Sequence, residues 1–239
     1  MIVPQIFPDH EQLSQHAADW LADRLRQRPT SLVSLAAGGT PGRTYELLAE
    51  RGLREPALVA HARWIKLDEW GGLAMDDPAT CEYQLRRTLI APLGAADRYT
   101  AFESQPADRA TECARIAGWL ASNGPIDLCV LGLGMNGHLG FNEPADRLTP
   151  QAHIAKLTEA SLTHAMLEQT TGRPTYGLTL GIADLLQARE VLLLVSGASK
   201  RSPLQRLLSG QIETQFPASF LHLHPRVTAL VDAQAKGQG

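Results

Sequence analysis

The sequence has no excess of positive charge: 22 Lys and Arg against 25 Asp and Glu give a net charge of -3 and a pI near 6.2. That balance offers no strongly basic surface to nucleic acid or another polyanion, although one local cationic pocket remains compatible with it. Cysteine is scarce. Cys81, Cys113 and Cys129 are odd in number, widely spaced and set in apolar or helical surroundings, which does not read as a disulfide framework or a zinc site. No apolar run is longer than a strand, and residues 1–10 lack a basic segment followed by a long apolar stretch. No membrane span or export signal is therefore expected, and a reducing cytoplasm fits. Linkers, repeats and low-complexity tracts are also missing, apart from a polar tail, residues 234–239, that reads as frayed. The expectation is a single domain over residues 1–239, long enough to bury a sizeable core.

What the sequence does have is a pattern of buried strands that end in polar loops. Residues 128–133 form an apolar run of the length expected for a strand covered on both faces, and the chain then breaks into Gly132, Gly134, Gly137 and Gly140. The loop that follows carries Asn136, His138, Asn142 and Glu143, with glycines that let backbone approach a ligand closely. His138 can give and take a proton near neutral pH, and Glu143 stands close enough in sequence to orient it.

The pattern recurs along the chain. After a first strand near Ile2 and Val3, residues 9–28 place Leu13, Ala17, Trp20, Leu21 and Leu25 on one face of a helix. A strand over 31–36 leads through Gly38, Gly39 and Thr40 into a helix from Pro41, with Thr40 as its cap. Free amides at such a helix start suit a phosphate monoester, although an ordinary tight turn has the same sequence signature. The strand 64–68 ends in Asp68 and Glu69; Asp68 is placed to move protons at carbon, or else caps a turn while Glu69 is solvated. Further strands are expected at 154–157, 176–180, 191–195 and 227–231. Helices are expected at 78–90, 107–121, 161–170 and 203–208. Alternating strands and helices imply a mainly parallel α/β sheet covered on both faces, with ligands beyond the carboxyl ends of the strands. Lys200 falls at that edge, and Arg173 sits before Pro174 at the entrance to a strand; either could bind a phosphate. Lys66, His153, His164, His222 and His224 have no matching constellation and are expected to be structural.

Together the segments Gly38 to Pro41, Asp68 to Trp70 and Gly137 to Pro144 resemble the glucosamine-6-phosphate deaminase/isomerase family, in family order and over nearly the whole chain. The resemblance implies a three-layer αβα, Rossmann-like fold and the isomerisation with deamination of an amino-sugar 6-phosphate, without metal or organic cofactor. Residues 66–70, 127–134, 188–195 and 217–221 look most like bacterial galactosamine-6-phosphate isomerases, which implies galactosamine 6-phosphate as substrate and tagatose 6-phosphate plus ammonia as products. By the same resemblance, His138 with Glu143 opens the sugar ring and Asp68 moves the proton between C2 and C1. The phosphate is then held by Gly38, Gly39, Thr40 and Lys200.

The chain also departs from the pattern. Asn136 stands where many relatives carry an acid two residues before the histidine. Leu167 aligns with a phosphate-binding arginine, so that contact is either missing or supplied by Arg173. His153 and Ala155 replace basic residues used for allosteric effector binding, so no such allostery is expected, and a monomer or small homo-oligomer is expected rather than a hexamer. The competing enzyme is a 6-phosphogluconolactonase, which resembles the chain less at Phe141 to Pro144. A non-catalytic sugar-phosphate sensor is a third reading; a DNA-binding helix-turn-helix has no room before Ser31.

Overall fold

The computed structural model describes residues 2–170 and 172–237. Among these residues seven strands form one parallel sheet in the order β1 (Gln5–Phe7), β10 (Val227–Asp232), β9 (Glu190–Val195), β6 (Leu128–Gly132), β2 (Leu32–Leu35), β3 (Arg63–Lys66) and β5 (Tyr99–Thr100). The inner strands read as continuous apolar runs because both faces are covered. On one face Val33, Leu35, Trp64, Val130, Leu192 and Leu194 join a core with α1 (His10–Gln27), α2 (Gly39–Arg54) and the end of α3 (Cys81–Leu85). On the other, Leu32, Ile65, Cys129, Leu131, Val191 and Leu193 pack with α4 (Arg109–Asn123), α6 (Ile182–Leu186) and α7 (Arg201–Leu208). Neighbours in sequence point to opposite layers, which is the period-2 geometry of a strand. This is the three-layer αβα architecture the resemblance implied. Among the described residues no helix is long and apolar enough to cross a membrane.

The first helix follows its sequence pattern. Asp9 accepts a hydrogen bond from the Gln12 amide at 2.8 Å as the N-cap, and Leu13, Ala17, Trp20, Leu21 and Leu25 are all buried. Each of the buried leucines contributes roughly 1.5–3 kcal/mol on burial.

Several elements differ from the sequence expectation. The strand expected over 64–68 is two strands: Leu67 donates its amide to Leu35 of β2, but its carbonyl accepts from Leu180, so the chain leaves the main sheet there. From Asp68 onward it forms β4 (Asp68–Gly71), which pairs antiparallel with β8 (Tyr176–Thr179), itself antiparallel to β7 (His153–Ala155). The strands expected near 154 and 176 therefore belong to a separate three-stranded sheet rather than to the parallel one. The first strand begins at Gln5, beyond Pro4, where each residue has an amide to give to β10. The helix expected over 161–170 is α5 (Glu159–Leu162) followed by a 3-10 turn, Ala165–Gln169. Residues 234–236 of the tail expected to fray are held in α8 (Ala233–Lys236), capped by Asp232 and ended by Gly237; Gln238 and Gly239 lie outside the described residues.

Candidate active site

Four neighbouring strands, β9, β6, β2 and β3, deliver their carboxyl ends to one place. The sequence order reverses across β2, whose neighbours are β3 on one side and β6 on the other, and such a switch point opens a crevice beyond the strand ends. A cavity of about 120 Å³ lies there, lined by Gly38, Gly39, Thr40, Asp68, His138 and Lys200 among others. Six of the nine residues singled out in sequence thus share one cavity.

Asp68 opens β4 directly after the break at Leu67, half-buried, with the Cys81 thiol donating toward its Oδ1 at 3.9 Å. Burial, with the Glu69 charge beside it, pushes its carboxyl up to about 7, against the opposing pull of Lys66 and the Cys81 thiol. Glu69 points the other way and is fully buried, not solvated. Its carboxylate accepts from the amides of Trp70, Cys81 and Glu82 at 2.8–2.9 Å and from the Lys66 ammonium at 2.6 Å. Lys66 also donates to Glu82 at 2.9 Å. This buried network ties the strand break to the start of α3.

His138 Nδ1 lies 3.3 Å from Glu143 Oε1, which leaves Nε2 as the proton-exchanging nitrogen. Glu143 is itself closely held: Asn136 Nδ2 donates to its Oε2 at 2.7 Å, Thr158 Oγ1 donates to Oε2 at 3.2 Å, and the Ser161 hydroxyl donates to Oε1. Burial pushes the Glu143 carboxyl up, but the hydrogen bond and charge of His138, with those of Ser161 and Asn136, outweigh it and keep the group below its ordinary value. Asn136 also reaches His138. It does so through the main chain, its Oδ1 accepting the His138 amide at 3.1 Å, while its side-chain amide serves Glu143. Asn142, by contrast, is buried and donates to the carbonyls of Leu139 and Leu180, so it pins the loop and does not face the cavity. Gly134 allows a close approach, though to the protein itself: a Cβ there would stand 2.2 Å from the His138 ring.

The loop after β2 is a helix start of the expected kind with a different cap. Gly38, at φ 121°, is the N-cap of α2, and Thr40 lies inside the first turn. The Gly38 amide donates to Gln84 Oε1 at 3.1 Å, whereas the amides of Gly39 and Thr40 find no protein acceptor among the described residues. Lys200 closes a 3-10 turn after β9, and burial lowers its pKa. Arg173 is exposed and does not line the cavity. The reason is the direction of β8: Thr179 pairs with Asp68 and Tyr176 with Gly71, so residues before Tyr176 run away from the site. Sequence reasoning missed Trp70, Met166 and His164, which line the cavity, and Thr158 and Ser161, which hold Glu143. Thr158 is the N-cap of α5, accepting the Ser161 amide, a role that marks a helix start but not what lies beneath it.

A parallel α/β sheet with its cavity at the switch point, and an imidazole–carboxylate pair beside a second carboxylate, defines a small-molecule site suited to acid–base chemistry. A family model described as glucosamine-6-phosphate isomerases/6-phosphogluconolactonase matches residues 8–230, and the chain belongs to that family. It is an enzyme, as its relatives are. The Escherichia coli (strain K12) protein called "Putative deaminase AgaI" is 42% identical over 226 residues, covering 94% of this chain and 89% of its own length. A glucosamine-6-phosphate deaminase of Rhodopirellula baltica is 36% identical over 234 residues, 97% of this chain and 93% of the relative. The structure of a monomeric glucosamine-6-phosphate deaminase superposes with a TM-score of 0.93 at 33% identity over 100% of both chains. A Trypanosoma brucei 6-phosphogluconolactonase, at 21% identity and TM-score 0.79 over 99% of each chain, shares the fold.

Proposed function

We propose that the protein converts an amino-sugar 6-phosphate into the corresponding ketose 6-phosphate and ammonia, with galactosamine 6-phosphate as preferred substrate and tagatose 6-phosphate as product. The observation that carries this reading is one cavity holding a carboxyl tuned to about 7 and an imidazole backed by a buried carboxylate. Moving a proton between adjacent carbons and opening a sugar ring each call for a positioned group that can take and return a proton.

In this reading His138, its Nδ1 proton held toward Glu143, uses Nε2 to carry the proton of the C1 hydroxyl to the ring oxygen. The C1–O5 bond breaks and the aldehyde is exposed. Asp68, ionised, takes the proton from C2, leaving an enol-type C1=C2 bond that carries the amino group. Returning the proton to C1 converts this to the C2 imine, and water adding at C2 expels ammonia and leaves the ketose. The amides of Gly39 and Thr40 and the Lys200 ammonium hold the phosphate, so that the carbons are presented to Asp68 and not left to diffuse.

Galactosamine is preferred here because residues 66–70, 127–134, 188–195 and 217–221 resemble galactosamine-6-phosphate isomerases; relatives named as glucosamine-6-phosphate deaminases make the gluco epimer the alternative. Ammonia release from the two epimers at equal concentration, with proton release from 6-phosphogluconolactone as a third arm, decides the matter. A gluco preference removes the narrower assignment, and no ammonia from either epimer removes the whole reading.

Asn136→Asp tests the other end of the site. A second carboxylate then faces Glu143 where an amide now donates at 2.7 Å. Two acids beside His138 favour its protonated form, so the limb of the kcat/KM profile belonging to this pair should move to higher pH by about one unit. An unmoved profile with normal folding would mean that Asn136 does not act on the pair.

A further inference from the structure

His164 is a histidine that the sequence left without a role and that the fold brings to the cavity. It is the N-cap of the 3-10 turn Ala165–Gln169, its Nδ1 accepting the Met166 amide at 3.2 Å. With Nδ1 used as an acceptor, the proton of the neutral ring resides on Nε2, and the imidazole has one donor to offer. The ring lies over the start of α2: its Cε1 is 4.0 Å from where a Cβ on Gly38 would stand. It lies beside Trp70, with ring centroids 6.1 Å apart. Together with Met166 it forms a shared wall between the 120 Å³ cavity and a neighbouring groove of about 610 Å³, both of which reach Gly38 and Gly39.

The geometry points to His164 as a phosphate-binding residue, whose Nε2–H donates to the phosphate monoester lodged on the Gly39 and Thr40 amides beside Lys200. This rests on the reading of the site given above and adds a ligand that it lacked. Arg173, the other side chain that the sequence offered for the phosphate, is exposed and does not line the cavity, whereas His164 does. Chain geometry makes His164 the substitute: its turn is anchored by α5, where Ser161 fixes Glu143 and its carbonyl accepts the His164 amide at 3.1 Å. One short segment thus holds both the ring-opening pair and the phosphate.

A neutral donor suits this position. Burial, then the charges of Lys200 and His138, lower the His164 pKa to about 4, so the ring stays uncharged across the neutral range. A hydrogen bond to a charged acceptor strengthens binding by roughly 10-fold to 100-fold. Nothing in this placement involves the ring in proton transfer, so the effect should fall on binding.

The test is steady-state kinetics of His164→Ala and His164→Gln on the amino-sugar phosphate that the wild type turns over, with inorganic phosphate as competing probe. For His164→Ala, KM and the inhibition constant of phosphate should rise together by roughly 10-fold to 100-fold, with kcat within about twofold. His164→Gln, which keeps an N–H donor, should recover part of that loss. If KM and phosphate inhibition stay at wild-type values in a variant that is folded by circular dichroism, or if kcat alone falls, the proposal is overturned. If His164→Ala does not fold, the glutamine variant decides: a phosphate affinity as poor as that of His164→Leu overturns it. A wild type that releases no ammonia and is not protected against heat by phosphate would instead sink the reading of the whole site.

Discussion

Asp68→Asn should lose turnover and gain stability at once. Positioned general bases contribute roughly 10²–10⁴-fold to rate, and an amide of the same shape cannot accept the C2 proton, so kcat should fall by that order while substrate still binds. Stability should move the other way because of how the carboxyl is held. Its pKa rises from 3.8 to about 7 on folding, so the folded protein binds this proton more tightly than the unfolded chain. The sign follows: below 3.8 both states are protonated and no cost is incurred, between 3.8 and about 7 stability falls as pH rises, and above 7 the full cost is present. At about 1.4 kcal/mol per pH unit this reaches at most about 4 kcal/mol, and partial solvent exposure of Asp68 makes the realised value smaller. Asparagine carries no charge to desolvate. The difference in thermal midpoint between Asp68→Asn and wild type should therefore be near zero at pH 4, grow up to pH 7 and level off at pH 8. A flat difference across that range would mean that the carboxyl is not destabilised by the fold, and near-normal turnover would mean that another group is the base.

The same residue explains what could be read in the sequence and what could not. Asp68 and His138 were legible because each follows an apolar run that only a buried strand explains, and strand ends in a parallel sheet collect on one edge. Which way Glu69 points was not legible. A carboxylate next to a site carboxylate reads as solvated, since burial is disfavoured unless a partner is at hand. The partners here lie three residues before it and thirteen after, and only the break at Leu67 turns the chain so that Lys66 and Glu82 converge on it. The small antiparallel sheet was hidden for a related reason: short strands such as His153–Ala155 carry a pattern that reveals faces but not partners or direction. Thr158 and Ser161 touch Glu143 and His138 fifteen to twenty-three positions away, and His164 meets Trp70 and Gly38 much earlier in the chain; hydroxyls and a lone histidine at a helix cap look alike whether they end a helix or hold a catalytic carboxylate. Arg173 lies outside the cavity for a reason of direction that its sequence position could not show, because a place beside a strand says nothing of which end of the sheet that strand enters from.

The second large effect belongs to Lys66, which does not line the site cavity. It is fully buried between Glu69 and Glu82, and although burial disfavours its charge, the two carboxylates raise its pKa above the ordinary value. Glu82 is itself kept below its ordinary value, burial being outweighed by Lys66, Arg86 and Tyr99. Replacing the lysine by methionine preserves the length of the side chain but leaves two buried carboxylates facing each other. Removing one partner of a buried ion pair costs about 3–5 kcal/mol, far more than losing an exposed one. The loss should depend on pH with a definite sign. In wild type the low Glu82 pKa gives stability that is present above about 4.5 and lost as pH falls, whereas in Lys66→Met the orphaned carboxylates gain a proton more readily, so acid helps the variant. The gap between the two proteins should thus be largest near pH 8 and narrow toward pH 5 in urea titrations. Catalysis supplies an independent readout, because the Lys66 charge opposes the rise of the Asp68 pKa. Without it the acid limb of kcat/KM should move above 7, toward the pH at which Asp68 is still protonated and cannot act as a base. A variant that is destabilised yet keeps the wild-type limb would confine Lys66 to the fold, while a shifted limb would make it the residue that sets the pH at which the base is ready.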